Sequence, residues 1–216
     1  MPDTPQLLMF IAAGWLLNLT PGPDVLFIVS RALKHGVRAG CVAALGIVSG
    51  CFVHVFAAAL GVGALLAAST TAFTVLKWVG AIYLGWMGLR LLLVHGASAA
   101  LPAAATPPSE PADLWRVYRQ GFLTNALNPK VALFFLAFVP QFIVPGTSDQ
   151  LSAFLLMGLL FVVNSLPVNF GYAWLAGSAV RRLGTVQRAM PWMDRAAGVM
   201  FVGFGLSLAM SDNRLQ

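Results

Sequence analysis

Two short stretches hold residue types for which an apolar helix has no use. Residues 18–24, Asn18-Leu-Thr20-Pro21-Gly22-Pro23-Asp24, set two prolines, a glycine and a carboxylate inside a hydrophobic run. Residues 125–130, Asn125-Ala-Leu-Asn128-Pro129-Lys130, set two amides, a proline and an ammonium inside another. Pro-Gly-Pro cannot continue a helix, because two N–H donors are missing and the rings collide with preceding carbonyls. The helix must unwind there. Thr20 suits an N-cap and Pro21 the first residue of a helix that restarts. The new half-helix then aims its N–H groups and the positive end of its dipole at the break. Asn128, Pro129 and Lys130 repeat this arrangement. Two such N-termini brought together make an anion site suited to a carboxylate, while Asn18, Asn125 and the freed carbonyls can hold an ammonium. Together they form a receptor for a zwitterion.

Asp24 and Lys130 are the ionisable groups nearest these breaks. A charge within a membrane costs several kcal/mol unless it is paired or hydrated, so the two compensate each other or a bound molecule. Two roles stay open for Asp24: a proton carrier coupling movement of a substrate to a proton gradient, or a static counter-ion of Lys130. His54 lies within the second apolar run, where a lone histidine is more often a hydrogen-bonded core residue. Asn164, Pro167, Asn169 and Tyr172 offer a third polar wall. A metal-ion exporter would want clusters of His, Asp or Cys, and the three histidines are scattered. A membrane-embedded thiol-disulfide carrier would want a reactive pair, but Cys41 and Cys51 lie about 15 Å apart along a helix and cannot bridge. The sequence calls for no cofactor, no metal and no catalytic residue.

These residues need elements that hold them within a bilayer. Of the 216 residues 59% are hydrophobic and only 9% charged, whereas a soluble domain carries about a quarter charged. A soluble enzyme is excluded. Apolar runs fall at 7–29, 40–68, 73–94, 122–144, 151–179 and 192–210, each long enough for a transmembrane helix. They are continuous, unlike the alternating segments of about ten residues in a β-barrel. The expected class is an all-α integral membrane protein of six transmembrane helices. The net charge of +6 reads as basic loops rather than a nucleic-acid surface. Arg31, Lys34 and Arg38 follow the first run, Arg90, Arg116 and Arg119 flank the connection after the third, and Arg181, Arg182 and Arg188 follow the fifth. That bias places the odd connections in the cytoplasm and both termini outside. Residues 1–6 lack the basic start of a cleavable signal, so the first run is read as a retained span.

An Ala/Pro-rich linker over 96–112 divides the chain, and residues 114–119 interleave aromatics with Arg116 and Arg119 as a helix end anchored at the interface does. The organisation read from this is a first three-helix repeat over 1–95, a linker and interfacial segment over 96–120, and a second repeat over 121–216. Gly14-Trp-Leu-Leu-Asn18 and Gly121-Phe-Leu-Thr-Asn125 share one pattern, and Lys77, Gly80 and Gly85 match Arg195, Gly198 and Gly203 in offset. Because three is odd, the second half must enter from the opposite face, giving inverted repeats of the kind found in secondary transporters. Gly46 and Gly50 form a small-residue face that packs within the chain by default, or else in a homodimer.

At Pro21-Gly-Pro-Asp24, Ser30-Arg-Ala-Leu-Lys-His-Gly-Val-Arg-Ala-Gly40, Tyr83-Leu-Gly-Trp-Met-Gly-Leu89 and Gly121-Phe-Leu-Thr-Asn-Ala-Leu-Asn-Pro-Lys130 the chain resembles the LysE/RhtB family of amino-acid exporters. The resemblance covers essentially the whole chain. It implies a multi-pass protein of the bacterial inner membrane that exports amino acids or close derivatives, such as homoserine, threonine or leucine, powered by the proton gradient. A cationic cargo would need further carboxylates near Asp24, so neutral amino acids are the expected cargo, with the proton and the lipid bilayer as the other partners.

Overall fold

The computed structural model describes residues 3–20, 22–68, 70–93, 112–143 and 149–178, with positions 195, 198–199, 202–203, 205–206 and 209–210. All regular structure among them is helical. Helix α1, Thr4–Leu19, starts from Asp3, whose carboxylate accepts the Gln6 N–H at 2.8 Å while the Gln6 side chain accepts the Asp3 N–H. Helix α2, Pro23–His35, is turned 53° from α1. Gly36, at a positive φ of 83°, turns the chain into α3, Val37–Ala68. Helix α4 spans Thr70–Leu93 and α5 spans Leu114–Ala126. The latter starts at Asp113, which accepts the Arg116 N–H, and it crosses residue 120, where the sequence reading ends the linker. A 46° bend leads into α6, Pro129–Leu133, and α7, Gln150–Ser178, completes the longer elements.

Beyond α6 the winding changes. Phe134–Phe138 form a π-helical turn and Val139–Phe142 a 3-10 turn. The proline at 140 has no N–H to return to the carbonyl four residues back, and the Val139 N–H reaches the Phe134 carbonyl instead. The result stacks Phe134, Phe138 and Phe142 at 4.9–5.1 Å along one side, with Phe10 of α1 and Phe161 of α7 against them.

Two helices are long and apolar enough to cross a membrane alone, α3 over Val37–Gly61 and α7 over Gln150–Ser178. Each bent pair, α1 with α2 and α5 with α6, meets the same criterion when taken as one span, giving up to four among the described residues. Helix α4 covers most of the expected third run, and the expected sixth, 192–210, lies largely outside the described residues, as do the linker over 96–111 and the basic residues at 181, 182 and 188. Large apolar side chains face outward, Leu60, Ile82 and Leu93 among them at two-thirds exposed, as lipid-facing residues do.

Lipid tails are as apolar as leucine, so such helices are held by close packing and hydrogen bonds rather than by expulsion of water. Helix α3 lies between α5 and α7, and α7 also receives α1 and α2. A Cβ at Gly46 would strike the Tyr118 carbonyl, and one at Gly121 would come within 2.7 Å of the Ala43 carbonyl. The Gly46/Gly50 face is therefore taken by α5 of the same chain.

Candidate functional site

Both proline breaks exist, and they meet. On the first side, Thr20 does not cap the restarting helix as the sequence suggested. Its hydroxyl and its N–H both donate to the Leu16 carbonyl, at 2.6 and 3.0 Å, so it closes α1 instead. A hydroxyl within reach of the preceding turn finds those orphaned carbonyls first. Helix α2 restarts from Gly22 with Pro23 as its first residue, and no side chain caps it. Pro21 lies outside the described residues. The Asn18 amide donates to the Gly14 carbonyl at 2.7 Å, turned back on its own helix.

On the second side, Asn128 caps α6 as expected, accepting the Lys130 N–H at 3.0 Å, with Pro129 in first position. The Asn125 carbonyl receives the Asn128 N–H at 2.8 Å and lies 2.8 Å from His54 Nε2 of α3. His54 is thus a hydrogen-bonded core residue, and the bond it makes is to the break itself.

Each break is completed by the other. The Asp24 carboxylate, in the first turn of α2, accepts at one oxygen, Oδ2, from Asn125 Nδ2 at 2.9 Å and Asn128 Nδ2 at 3.0 Å. In return Lys130 Nζ donates to the Leu17 carbonyl at 3.1 Å and the Thr20 carbonyl at 3.2 Å, at the end of α1. Tyr172 of α7 donates to the neighbouring Leu19 carbonyl at 2.9 Å. No direct ion pair joins Asp24 to Lys130; the acid is held by amides and the base by carbonyls. Thr20, Asp24, Asn125, Asn128 and Lys130 are all buried.

Three polar features at this junction are left open. Asp24 Oδ1 and Asn125 Oδ1 are buried acceptors without a partner. Lys130 has three N–H donors and two acceptors. The Asp24 and Val25 amides, in the first turn of α2, have no acceptor within the helix and no side chain over them. Unsatisfied buried polar atoms are rare and each calls for an explanation. Here they comprise acceptors for a cation beside donors for an anion.

Residues 15–212, with both breaks inside them, match one protein family, the LysE type translocators. The chain belongs to that family. It is 34% identical over 202 residues to an uncharacterized membrane protein of Vibrio cholerae, covering 94% of this chain and 95% of that one. It is 30% identical over 200 residues to the homoserine/homoserine lactone efflux protein of Salmonella typhi, covering 93% and 94%. It is 28% identical over 203 residues to the leucine efflux protein of an Enterobacter species, covering 93% of each. No solved structure gives a significant match. This LysE type translocator is a multi-pass membrane protein.

Sequence reasoning missed several partners within the translocator. Nothing in the spacing marks His54 as the partner of Asn125, since 71 residues separate them. The link from Tyr172 to Leu19 and the link from Asn164 Nδ2 to the Ile11 carbonyl at 3.1 Å each span 153 residues. The proposed third wall thus reaches α1 through two of its members, and Asn169 is buried beside them on α7. Cys41 and Cys51 are free thiols, the second buried in the core.

Proposed function

We propose that this translocator exports neutral amino acids or their close derivatives from the cytoplasm in exchange for protons. One observation carries the reading: the partnerless Asp24 Oδ1 and Asn125 Oδ1, buried where the two breaks meet. An α-ammonium supplies the donors those oxygens lack. The α-carboxylate of the same molecule takes the uncapped amides of α2 and the remaining proton of Lys130, with Gly22 leaving room beside that ammonium. Thr20, Pro21, Gly22, Pro23, Asn125, Asn128 and Pro129 build this site, with Asn18 one turn before the break, its amide on the Gly14 carbonyl. The efflux proteins named for homoserine and leucine support a neutral cargo, and so does the presence of a single buried carboxylate among the described residues.

Coupling follows from the same oxygen. Asp24 Oδ1 can take a proton or a substrate ammonium, and not both, so loading one releases the other. The cycle needs no covalent step.

The architecture proposed for this work is six transmembrane helices in two inverted repeats of three, set in the bacterial inner membrane with the odd connections in the cytoplasm. Support comes from the reciprocal bonds between the breaks. Further support comes from the two regions paired by the second sequence match, since a Cβ at Gly88 of α4 would come within 2.6 Å of the Gly198 carbonyl.

Inverted vesicles offered a panel of labelled amino acids should accumulate leucine or homoserine, leave lysine and arginine outside, and lose the accumulation on adding an uncoupler. Accumulation indifferent to the uncoupler would remove the proton, and no accumulation of any amino acid would remove the function.

A further inference from the structure

A second charged side chain lies on the face of α2 that carries Asp24. Arg31 follows it by seven residues, two helical turns, which returns to the same side. Its Nη2 donates to Gln120 Oε1 of α5 at 3.1 Å, and its guanidinium carbon sits 5.0 Å from the centre of the Phe27 ring. Its Nε is buried and has no partner. The Nε–H and the adjacent Nη2–H of a guanidinium point the same way and form an edge that fits the two oxygens of one carboxylate. A glutamine amide has one acceptor oxygen. Gln120 therefore fills half of an edge made for two, and the other half is sealed from solvent without an acceptor.

The Arg31–Gln120 bond joins α2 to α5, the half-helices on one side of the two breaks. That side carries Lys34, His35, Arg116 and Arg119. The geometry points to Arg31 as a second anion site, separate from the junction, whose Nε–Nη2 edge takes the carboxylate of a small monocarboxylic acid while Gln120 occupies it in the empty protein. The site selects for a free carboxylate before a cargo reaches the break. It rests on the proposed export only for the identity of that cargo, since the edge fits any carboxylate of the right size.

Three ligands of one shape show which end of a cargo the Arg31 edge reads when added to the purified full chain in detergent and followed by thermal unfolding. Leucine has carboxylate and ammonium, 4-methylpentanoate the carboxylate alone, and leucinamide the ammonium alone. Arg31→Lys keeps the charge and loses the edge, and Gln120→Glu fills the edge from within. Both substitutions should raise the half-saturating concentration of leucine and 4-methylpentanoate by about tenfold or more, the range of a hydrogen bond to a charged group, and leave leucinamide unchanged. If Arg31→Lys does not accumulate as folded protein, Gln120→Glu alone decides. Failure of 4-methylpentanoate to stabilise the unsubstituted protein, its unaltered binding by Gln120→Glu, or an equal loss for all three ligands would overturn the assignment. Absence of leucine export with these shifts intact would strike the proposed function and leave the Arg31 site standing.

Discussion

The two breaks have the same outline and opposite chemistry. The first ends α1 on carbonyls that other elements must satisfy and restarts α2 from a glycine with nothing over its amides. The second restarts α6 from Asn128, which covers its own first turn. The first break supplies the acid, and the second supplies the base and two amides. The two N-termini are not a matched open pair: Asn128 caps one and nothing caps the other, which is why the proposed anion place lies at α2. The sealed break is the scaffold of the open one.

If so, charges removed from the two breaks should differ in effect. Lys130→Met strips the Leu17 and Thr20 carbonyls of their donor and removes the cation nearest the buried Asp24 carboxylate, at about 1–3 kcal/mol for each group left unsatisfied. Protein in the membrane fraction should fall sharply. Asp24→Asn leaves Lys130 with both carbonyl acceptors, so protein should persist while gradient-driven export stops. The double change Asp24→Asn with Lys130→Met should recover much of the protein lost with Lys130→Met, a coupling visible in a double-mutant cycle. Export restored with full coupling in that double mutant would reduce Asp24 to a counter-ion.

The caps give a smaller contrast. Asn128→Ala removes a helix cap worth about 1 kcal/mol and one bond to Asp24, and should lower the melting temperature. Gly22→Ala removes no cap, and its Cβ would lie 3.2 Å from Lys130 Nζ, the far end of a flexible chain. It should leave stability within about 1 kcal/mol, typical of a substitution with room to adjust, and still depress export by crowding the open amides.

The smallest effect belongs to a cap remote from both breaks. The Ser152 hydroxyl and N–H hold the exposed Asp149 carboxyl, at the start of α7, below the usual carboxylate range. A depressed pKa contributes stability above the unfolded value, lost as pH falls through the folded one. Acid should therefore weaken the start of α7 slightly in the unsubstituted protein and leave Asp149→Asn indifferent to pH, with export equal in both. A change in export there would blur the contrast between scaffold and site.

The breaks were legible in the sequence because proline has no N–H and leaves no choice of conformation. Asp24 and Lys130 were legible because a charge in an apolar run has few uses. The cap of α2 was misread because Thr20 is chemically fit for either end of a break, and only the position of the Leu16 carbonyl decides between them. Tyr172, Asn164 and His54 reach carbonyls far away in sequence, where local spacing carries no information. The π-turn at Phe134–Phe138 was hidden because Pro140, which accompanies it, lies inside a run that otherwise reads as plain apolar helix.

The most direct test of a shared site for proton and ammonium is the pH dependence of leucine binding in reconstituted membranes, with and without Asp24. The account predicts that apparent affinity in the unsubstituted protein weakens as pH falls, because a proton competes for Asp24 Oδ1, and that Asp24→Asn binds weakly at every pH. Retention of both the affinity and its pH dependence in Asp24→Asn would contradict it.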